Sequence, residues 1–276
     1  MTNSIRNLKA FFTLPKLTYR VWKVWHRNLD VFRRTIIVNF LPALLEPILY
    51  LLAFGFGLGE FIPNMQDQSY INFIAPALVA IAVMEGSFFE CTYSSFTRMC
   101  YEKTFDAIVA TPLSVEEVVT GELLWGVTRS TINATTVLAI ISALGLISSP
   151  LFLLVVPFAF LSGLIFASIA MCFTAVAPNV DFFNFADFLF LTPMFFLSGT
   201  FFPITSLPRA AQEVALAVMP LTPTVTVCRE VISGHIEPIL GLSSESLLLI
   251  SLAWILIATI FFFILSINLM KKRLTG

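Results

Sequence analysis

The chain has 276 residues, 58% hydrophobic and 12% charged, with a mean hydropathy of +0.90 and a formal net charge of −1. Soluble domains carry about 25% charged residues, so this composition, with its 29 phenylalanines, excludes a water-soluble globule and leaves apolar surface that must face lipid. The near-zero net charge gives no sign of a nucleic-acid partner, and the placement of the charges along the chain is more informative than their sum.

Residues 1–34 are basic and interrupted. The apolar run that follows is too long for the core of a signal peptide, so it is expected to remain in the membrane. Lys16, Arg20, Lys23 and Arg27 recur at helical spacing, with Leu17, Val21, Val24 and Trp25 opposite them and Trp22 at the boundary. Pro15 separates this stretch from Leu8–Leu14. The pattern predicts an amphipathic helix lying in the headgroup layer, where tryptophans are at home.

A spanning helix needs roughly 20 apolar residues. Six windows qualify: Thr35–Leu58, Tyr70–Tyr93, Leu123–Ile147, Leu151–Ala177, Phe182–Phe202 and Leu247–Leu269. Ser148–Pro150 makes the third and fourth a tight hairpin. The expected fold is therefore all-α, with a segment 1–34 followed by a six-span domain 35–276.

Orientation follows from lysine and arginine, which favour the cytoplasmic side. Residues 1–34 hold eight of the sixteen: Arg6, Lys9, Lys16, Arg20, Lys23, Arg27, Arg33 and Arg34. Arg98 and Lys103 follow the second window, and Lys271, Lys272 and Arg273 follow the sixth. An even number of crossings puts all thirteen on one side, against Arg209 and Arg229 on the other. Both ends are thus expected in the cytoplasm of a bacterial inner-membrane protein.

The loop Thr97–Gly121 is expected to carry a helix at Met99–Ala110, with Glu102, Lys103 and Asp106 polar and Tyr101, Phe105, Ile108 and Val109 apolar. Thr111-Pro112 ends it, because the residue before a proline avoids the helical region. Ser114 then caps the next helix, with Glu117 completing a capping box. A short helix tied between two spans is a lever for force applied from the cytoplasm. On the opposite side, Leu207–Met219 is only about 20 Å long as a helix. Fenced by Pro203, Pro208, Pro220 and Pro223 and followed by Thr224–Ile232, it predicts a re-entrant pair over residues 203–232.

The chemistry of sites is sparse. Cys91, Cys100, Cys172 and Cys228 are scattered, and only His26 and His235 exist, so neither a disulfide framework nor a metal site is expected. There is no GxxxxGK[ST] phosphate loop and no polar segment large enough for a nucleotide fold. Any dependence on ATP must come from a separate polypeptide.

Several stretches, in order, carry a resemblance. They are Leu45-Glu46-Pro47-Ile48-Leu49-Tyr50 with Gly55-Phe56-Gly57-Leu58-Gly59, then Phe89-Glu90-Cys91-Thr92-Tyr93, then Phe105-Asp106-Ala107-Ile108 with Thr111-Pro112-Leu113-Ser114, and Gly121-Glu122. The most specific is Leu197-Ser198-Gly199-Thr200-Phe201-Phe202-Pro203 with Leu207-Pro208. Over about residues 20–270 the chain resembles the ABC type 2 transporter permeases, especially the branch exporting nodulation factors, lipid-linked polysaccharides and drugs. The resemblance implies a subunit that dimerises, as a homodimer, and recruits two ATPase subunits holding ATP and magnesium, with no cofactor in this chain. It implies that Met99–Ala110 is the coupling helix, with Tyr101, Glu102, Lys103, Phe105 and Asp106 as ATPase-coupling residues. It also implies an outer re-entrant motif that includes Ser198, Gly199, Phe202 and Pro203.

Glu46, Glu85, Glu90, Arg129 and Asp187 fall in or beside apolar windows, where each would cost roughly 2.5–3.5 kcal/mol facing lipid at mid-depth. They are expected to face protein, water or each other. Glu85 and Arg129 both lie near 10 Å depth and suggest an interhelical pair. Glu46 sits between Pro42 and Pro47, where a pathway role and simple backbone satisfaction are equally open. Glu90 and Asp187 are expected near the cytoplasmic interface. The fifth window is crowded with Phe182, Phe183, Phe185, Phe188, Phe190, Phe195, Phe196, Phe201 and Phe202, which suits lipid contact and packing better than a slide for a lipid tail. Gly55, Gly57 and Gly59 allow close helix approach without matching a GxxxG face.

The function expected is export of an amphipathic substrate (a glycolipid, a lipid-linked saccharide or a hydrophobic drug), with no covalent chemistry in this chain. An ion-coupled secondary transporter or channel working through Glu46 and Glu85 would call for inverted repeats of broken helices, which are not evident. An intramembrane transferase using His235 or Glu90 as base lacks any nucleophile–base constellation.

Overall fold

The computed structural model describes residues 15, 17–59, 61–62, 68–109, 111–234, 236 and 238–275, apart from the side chains of 43, 56, 106 and 109. Arg6, Lys9, Lys16, the Leu8–Leu14 stretch, Ala110 and His235 lie outside these residues, as do the side chains of Asp106 and Val109.

Helix α1 (Val21–Arg34) buries Val21, Val24, Asn28 and Phe32, one stripe at helical spacing. The stripe lies against protein. It seats on the beginning of α5 (Val115–Ala143), where Gly121 leaves room for Val24: a Cβ there would come within 2.5 Å of the valine. Trp22 faces outward, 53% exposed, and stacks on Trp25 at 4.2 Å between ring centres.

Thr35, with φ −114°, separates α1 from α2 (Ile36–Tyr50), which contains Pro42 and Pro47 and widens into π turns over Leu51–Leu58. Helix α3 (Tyr70–Tyr101) is the centre of the fold, with 78% of its best apolar window buried, against 12% for the span that begins at Ile36. It runs on through two π turns, Glu90–Ser94 and Thr97–Tyr101. The helix expected at Met99–Ala110 is thus divided: Met99–Tyr101 end α3, and α4 is only Thr104–Val109. Lys103 makes the break by adopting a left-handed φ of 51°, which a helix interior does not accommodate.

Helix α5 starts where expected for its cap. The Ser114 Oγ accepts from the Glu117 amide at 3.2 Å, and the Glu117 carboxylate accepts from the Ser114 amide at 2.8 Å. The helix therefore begins well before the apolar window at Leu123. Its 29 residues could cover about 44 Å, but Glu116, Glu117, Glu122 and Arg129 interrupt its apolar character. The α5–α6 connection is pinned by the Ser148 and Ser149 amides, which donate to the Ile232 carbonyl at 3.1 and 3.0 Å.

After a 3₁₀ turn at Pro150–Leu154, α6 (Val155–Val176) packs between α3, α5 and α10 (Ser244–Thr275). Glycines make these crossings close. A Cβ at Gly126 would lie 2.4 Å from the Cys91 Sγ, and one at Gly163 would lie 2.4 Å from the Ser130 Oγ. Helix α7 (Phe182–Leu197) has 16 residues, about 24 Å. It stops short of the expected Phe202 because Gly199, at φ +76°, turns the chain out of the helix. The stretch expected as a re-entrant pair forms α8 (Arg209–Val218) and α9 (Leu221–Ser233), bent by 88° at their junction. Helix α9 is inserted between α3 and α10, with Leu221 through Cys228 all buried.

Among the described residues, four helices are long and apolar enough to cross a membrane, five if the bent pair counts as one. Helices α5 and α7 fall outside that count, one for its serines, threonines and asparagine together with Arg129 and one for its length.

Candidate functional site

The site is best built outward from Glu122, whose side chain is fully buried at the start of α5. One carboxylate oxygen accepts from the Arg27 guanidinium and from the Asn28 amide, both at 2.9 Å. The other accepts from the Ser95 hydroxyl at 2.9 Å and from Arg98 at 2.9 and 2.6 Å. Arg98 also pairs with Glu90 at 2.9 Å, and Glu90 takes the Trp125 indole N–H at 3.0 Å. A single anion thereby ties α1, the end of α3 and the beginning of α5. Burying such charges is tolerable only because each is paired and hydrogen-bonded.

The same face carries the end of α10. Lys271 reaches Glu116 at 2.6 Å, and Arg273 donates to the Thr174 carbonyl at 2.5 Å while lying 5.4 Å over the Phe96 ring. Both ends of the described chain therefore meet the start of α5 on one face, next to α4. Of the expected coupling residues, Tyr101, Glu102 and Lys103 project from the break between α3 and α4, whereas Phe105 is fully buried and anchors α4 to the core.

Four of the five intramembrane charges converge. A cleft of about 470 Å³ between α2, α3 and α5 is lined by Glu46, Glu85, Glu90 and Arg129, with Asn39, Tyr50 and Asn133. The expected Glu85–Arg129 pair does not form. Arg129 is drawn toward the α1–α2 junction, where it donates to the Asn39 side-chain oxygen at 3.1 Å and lies 4.9 Å over the Phe32 ring. Equal depth set the two charges on one level without making them face each other.

Asp187 accepts from the Tyr93 hydroxyl at 2.9 Å and shares a second cleft, about 310 Å³ between α3 and α7, with Glu85. The phenylalanines of α7 divide by face: Phe185, Phe188 and Phe196 are exposed, while Phe183 packs against Phe96 and Tyr93. Among the described residues, no three His, Cys, Asp or Glu side chains are placed to hold a metal ion.

On the opposite face the Ser198–Pro203 segment is held from behind. Arg229 of α9 donates to the Gly199 carbonyl at 2.5 Å and lies 3.9 Å over the Phe73 ring. Thr200 donates to the Phe195 carbonyl, and Tyr70 donates to the Phe201 carbonyl at 3.1 Å. Ser198 and Pro203 are buried and Phe202 half-buried.

Sequence reasoning singled out neither Glu122 nor Arg229 as a functional residue. Glu122 appeared only inside a Gly-Glu motif, yet a carboxylate beside a glycine, ahead of an apolar run, is a place where a neighbouring helix can come close to a charge. Arg229 was one of two cations on the sparse side, and its position inside a short apolar stretch was the available signal.

The comparisons with known proteins follow this geometry. The family model described as ABC-2 type transporter matches residues 19–232. The chain is 35% identical over 221 residues to Nodulation protein J of Rhizobium meliloti, covering 80% of this chain and 84% of that one. It is 36% identical over 218 residues to Nodulation protein J of Bradyrhizobium diazoefficiens, covering 79% and 83%. The Inner membrane transport permease YadH of Escherichia coli is 24% identical over 197 residues, covering 67% and 72%. With a match that spans the face around Glu122, the membrane clefts and the bent pair α8 and α9, this chain belongs to the ABC-2 type transporter family, as a membrane permease.

Proposed function

We propose that the chain is the six-span permease subunit of an inner-membrane exporter, with both ends cytoplasmic. It works as a homodimer driven by two copies of a separate ATPase subunit, on which ATP and magnesium reside. The substrate is amphipathic: a glycolipid, a lipid-linked saccharide or a hydrophobic drug. Helices α5 and α7 are the two crossings in addition to the four apolar ones, α5 carrying Glu116, Glu117 and Glu122 toward its N-terminal end and α7 being thinned to about 24 Å.

The observation that carries this reading is the Glu122 cluster. It makes α1, the end of α3 and the start of α5 one rigid platform on the face rich in lysine and arginine, with Tyr101, Glu102 and Lys103 displayed beside it. Pressure on α4 is passed through buried Phe105 and through Lys103 into α3 and α5 together. The relatives' names point to nodulation and to inner-membrane transport, which supports export without fixing the cargo.

The test is co-purification of the chain with an ATP-binding-cassette ATPase from its native membrane. A stoichiometric complex whose ATPase activity is uncoupled by Glu102→Ala with Lys103→Ala supports the reading. Isolation of the permease free of any ATPase, with full transport after the ATPase genes are deleted, would overturn it.

A further inference from the structure

The cleft between α3 and α7 has a one-sided chemistry. Its walls are Met84, Phe89, Leu191, Phe195 and Phe196, and its polar groups are Glu85, Asp187 and Thr192. The Thr192 hydroxyl is already committed to the Asp187 carbonyl at 3.1 Å. The cleft therefore offers carboxyl groups and aromatic faces, with no lysine, arginine or histidine in its lining.

Neither acid is satisfied by the protein. Glu85 is closely surrounded by protein atoms yet opens into both this cleft and the neighbouring one, and among the described residues it has no hydrogen-bond or ion-pair partner. One oxygen of Asp187 takes the Tyr93 hydroxyl, while the other, Oδ1, is fully buried and has no partner. A buried polar atom without a partner is costly. The neighbouring cleft adds Glu46 and Tyr50, and its one cation without an ion-pair partner, Arg129, is turned away onto Asn39 and Phe32.

Carboxylates with aromatic rings and no competing cation are the chemistry that recognises an organic cation: the rings attract it through their negative faces and the acids through charge. A saccharide's hydroxyls could also donate to these acids, so a neutral sugar probe is needed beside the cation. At about 310 Å³, joined through Glu85 and Phe89 to about 470 Å³, the space is of the size that holds a small molecule.

We propose that Glu85 and Asp187, with Phe89, Phe195 and Phe196, form a binding site for the positively charged group of a lipophilic organic cation. This rests on the export reading above and narrows its substrate class. Glu85 stands at the junction and receives the cation from either cleft. Asp187 supplies the second charge, and the exposed face of α7 holds the apolar part of the ligand.

The test measures binding to the purified full-length permease in nanodiscs, without any ATPase, so that its failure leaves the export reading standing. The probes are tetraphenylphosphonium, neutral triphenylphosphine oxide and a neutral alkyl glucoside. The expected result is saturable binding of the cation alone, weakened at least tenfold by Glu85→Gln and by Asp187→Asn and largely retained by Glu85→Asp. Glu245→Gln, on the remote end of α10, should bind like the parent. Matching gel-filtration profiles and helical circular dichroism show that the variants are folded, and Phe195→Ala should weaken binding with no change of charge. Cation binding indifferent to both acid substitutions would overturn the site. So would binding of the glucoside or of the phosphine oxide as tight as that of the cation.

Discussion

Arg98 and Glu122 meet at 2.6 Å where the end of α3 crosses the beginning of α5, and the Glu122 side chain at that contact is wholly enclosed. The carboxylate also holds Arg27 of α1 at 2.9 Å. Removing it would leave Arg27 without its carboxylate partner and Arg98 with Glu90 alone, and stranding buried charge costs about 3 kcal/mol or more. Glu122→Ala is therefore expected to lower the thermal unfolding temperature of the detergent-solubilised protein sharply. Glu122→Gln, which keeps an acceptor, is expected to lose less. Equal stability of the parent and the alanine variant would mean that the cluster is dispensable.

The same platform depends on shape. At Gly121 a Cβ would lie 2.5 Å from the Val24 Cβ and 3.1 Å from the Val21 carbonyl oxygen, so one neighbour is backbone and cannot swing aside. Gly121→Ala is expected to lift α1 from α5 at a cost of about 1–3 kcal/mol. Hydrogen–deuterium exchange should show the amides of Val21–Phe32 exchanging faster, with those of α6 unchanged. Unchanged exchange in α1 would place its anchorage elsewhere.

What could be read in the sequence was what depends on counting. Apolar length located the four long apolar helices, the Ser114–Glu117 spacing located the start of α5, and prolines marked the bent pair α8 and α9. What could not be read depended on which side chains face one another. Glu85 and Arg129 share a depth, but Phe32 and Asn39 come from a helix whose docking no periodicity describes, and they take the arginine away. The amphipathic pattern of α1 was correct, but the same stripe fits lipid or a groove beside a glycine. The break at Lys103 required a backbone conformation that lysine does not advertise.

The cap of α5 gives a pH signature. Glu117 lies outside the apolar stretch that begins at Leu123. Burial would push its carboxyl upward. Hydrogen bonds from Thr18 and from the Ser114 amide and hydroxyl, with the charge of Arg20, outweigh that and hold it below the usual carboxylate range. A depressed folded-state value means that the carboxylate's stabilisation is complete above the unfolded-state range and is lost as pH falls through the folded value. Glu117→Gln is thus expected to cost stability at neutral pH and progressively less on acidification to about pH 4 and below. A parent–variant difference in unfolding temperature that stays constant with pH would contradict this linkage.

Gly199 and Arg229 test the opposite face. Gly199 sits at φ +76°, and a Cβ there would meet Ile204 at an ordinary 3.5 Å, so the penalty of Gly199→Ala is one of backbone conformation, about 1–2 kcal/mol. Arg229→Lys keeps the charge and loses the planar group that both donates to the Gly199 carbonyl and stacks on Phe73. Each change is expected to lower the unfolding temperature by loosening one segment. The double variant should therefore fall short of the sum of the two, because coupled neighbours are not additive. Strict additivity would show that Arg229 does not hold the turn.

The contact of Lys271 with Glu116 fixes a geometrical consequence for the two ends of the chain. Glu116 follows the cap of α5, whose next residues bear the Glu122 cluster that grips α1, so the end of α10 and the start of α1 share one face whatever number of helices lies between them. Residues 1–34, Arg98 with Lys103 and the end of α10 hold thirteen of the sixteen lysines and arginines, the charge bias expected of a cytoplasmic side. A fluorescent protein fused after Gly276 is expected to fold and fluoresce, and alkaline phosphatase fused at the same point is expected to stay inactive. An active phosphatase would put α4 and the exposed Tyr101 before it on the far side of the membrane from any ATP, and no cytoplasmic engine could then reach the lever.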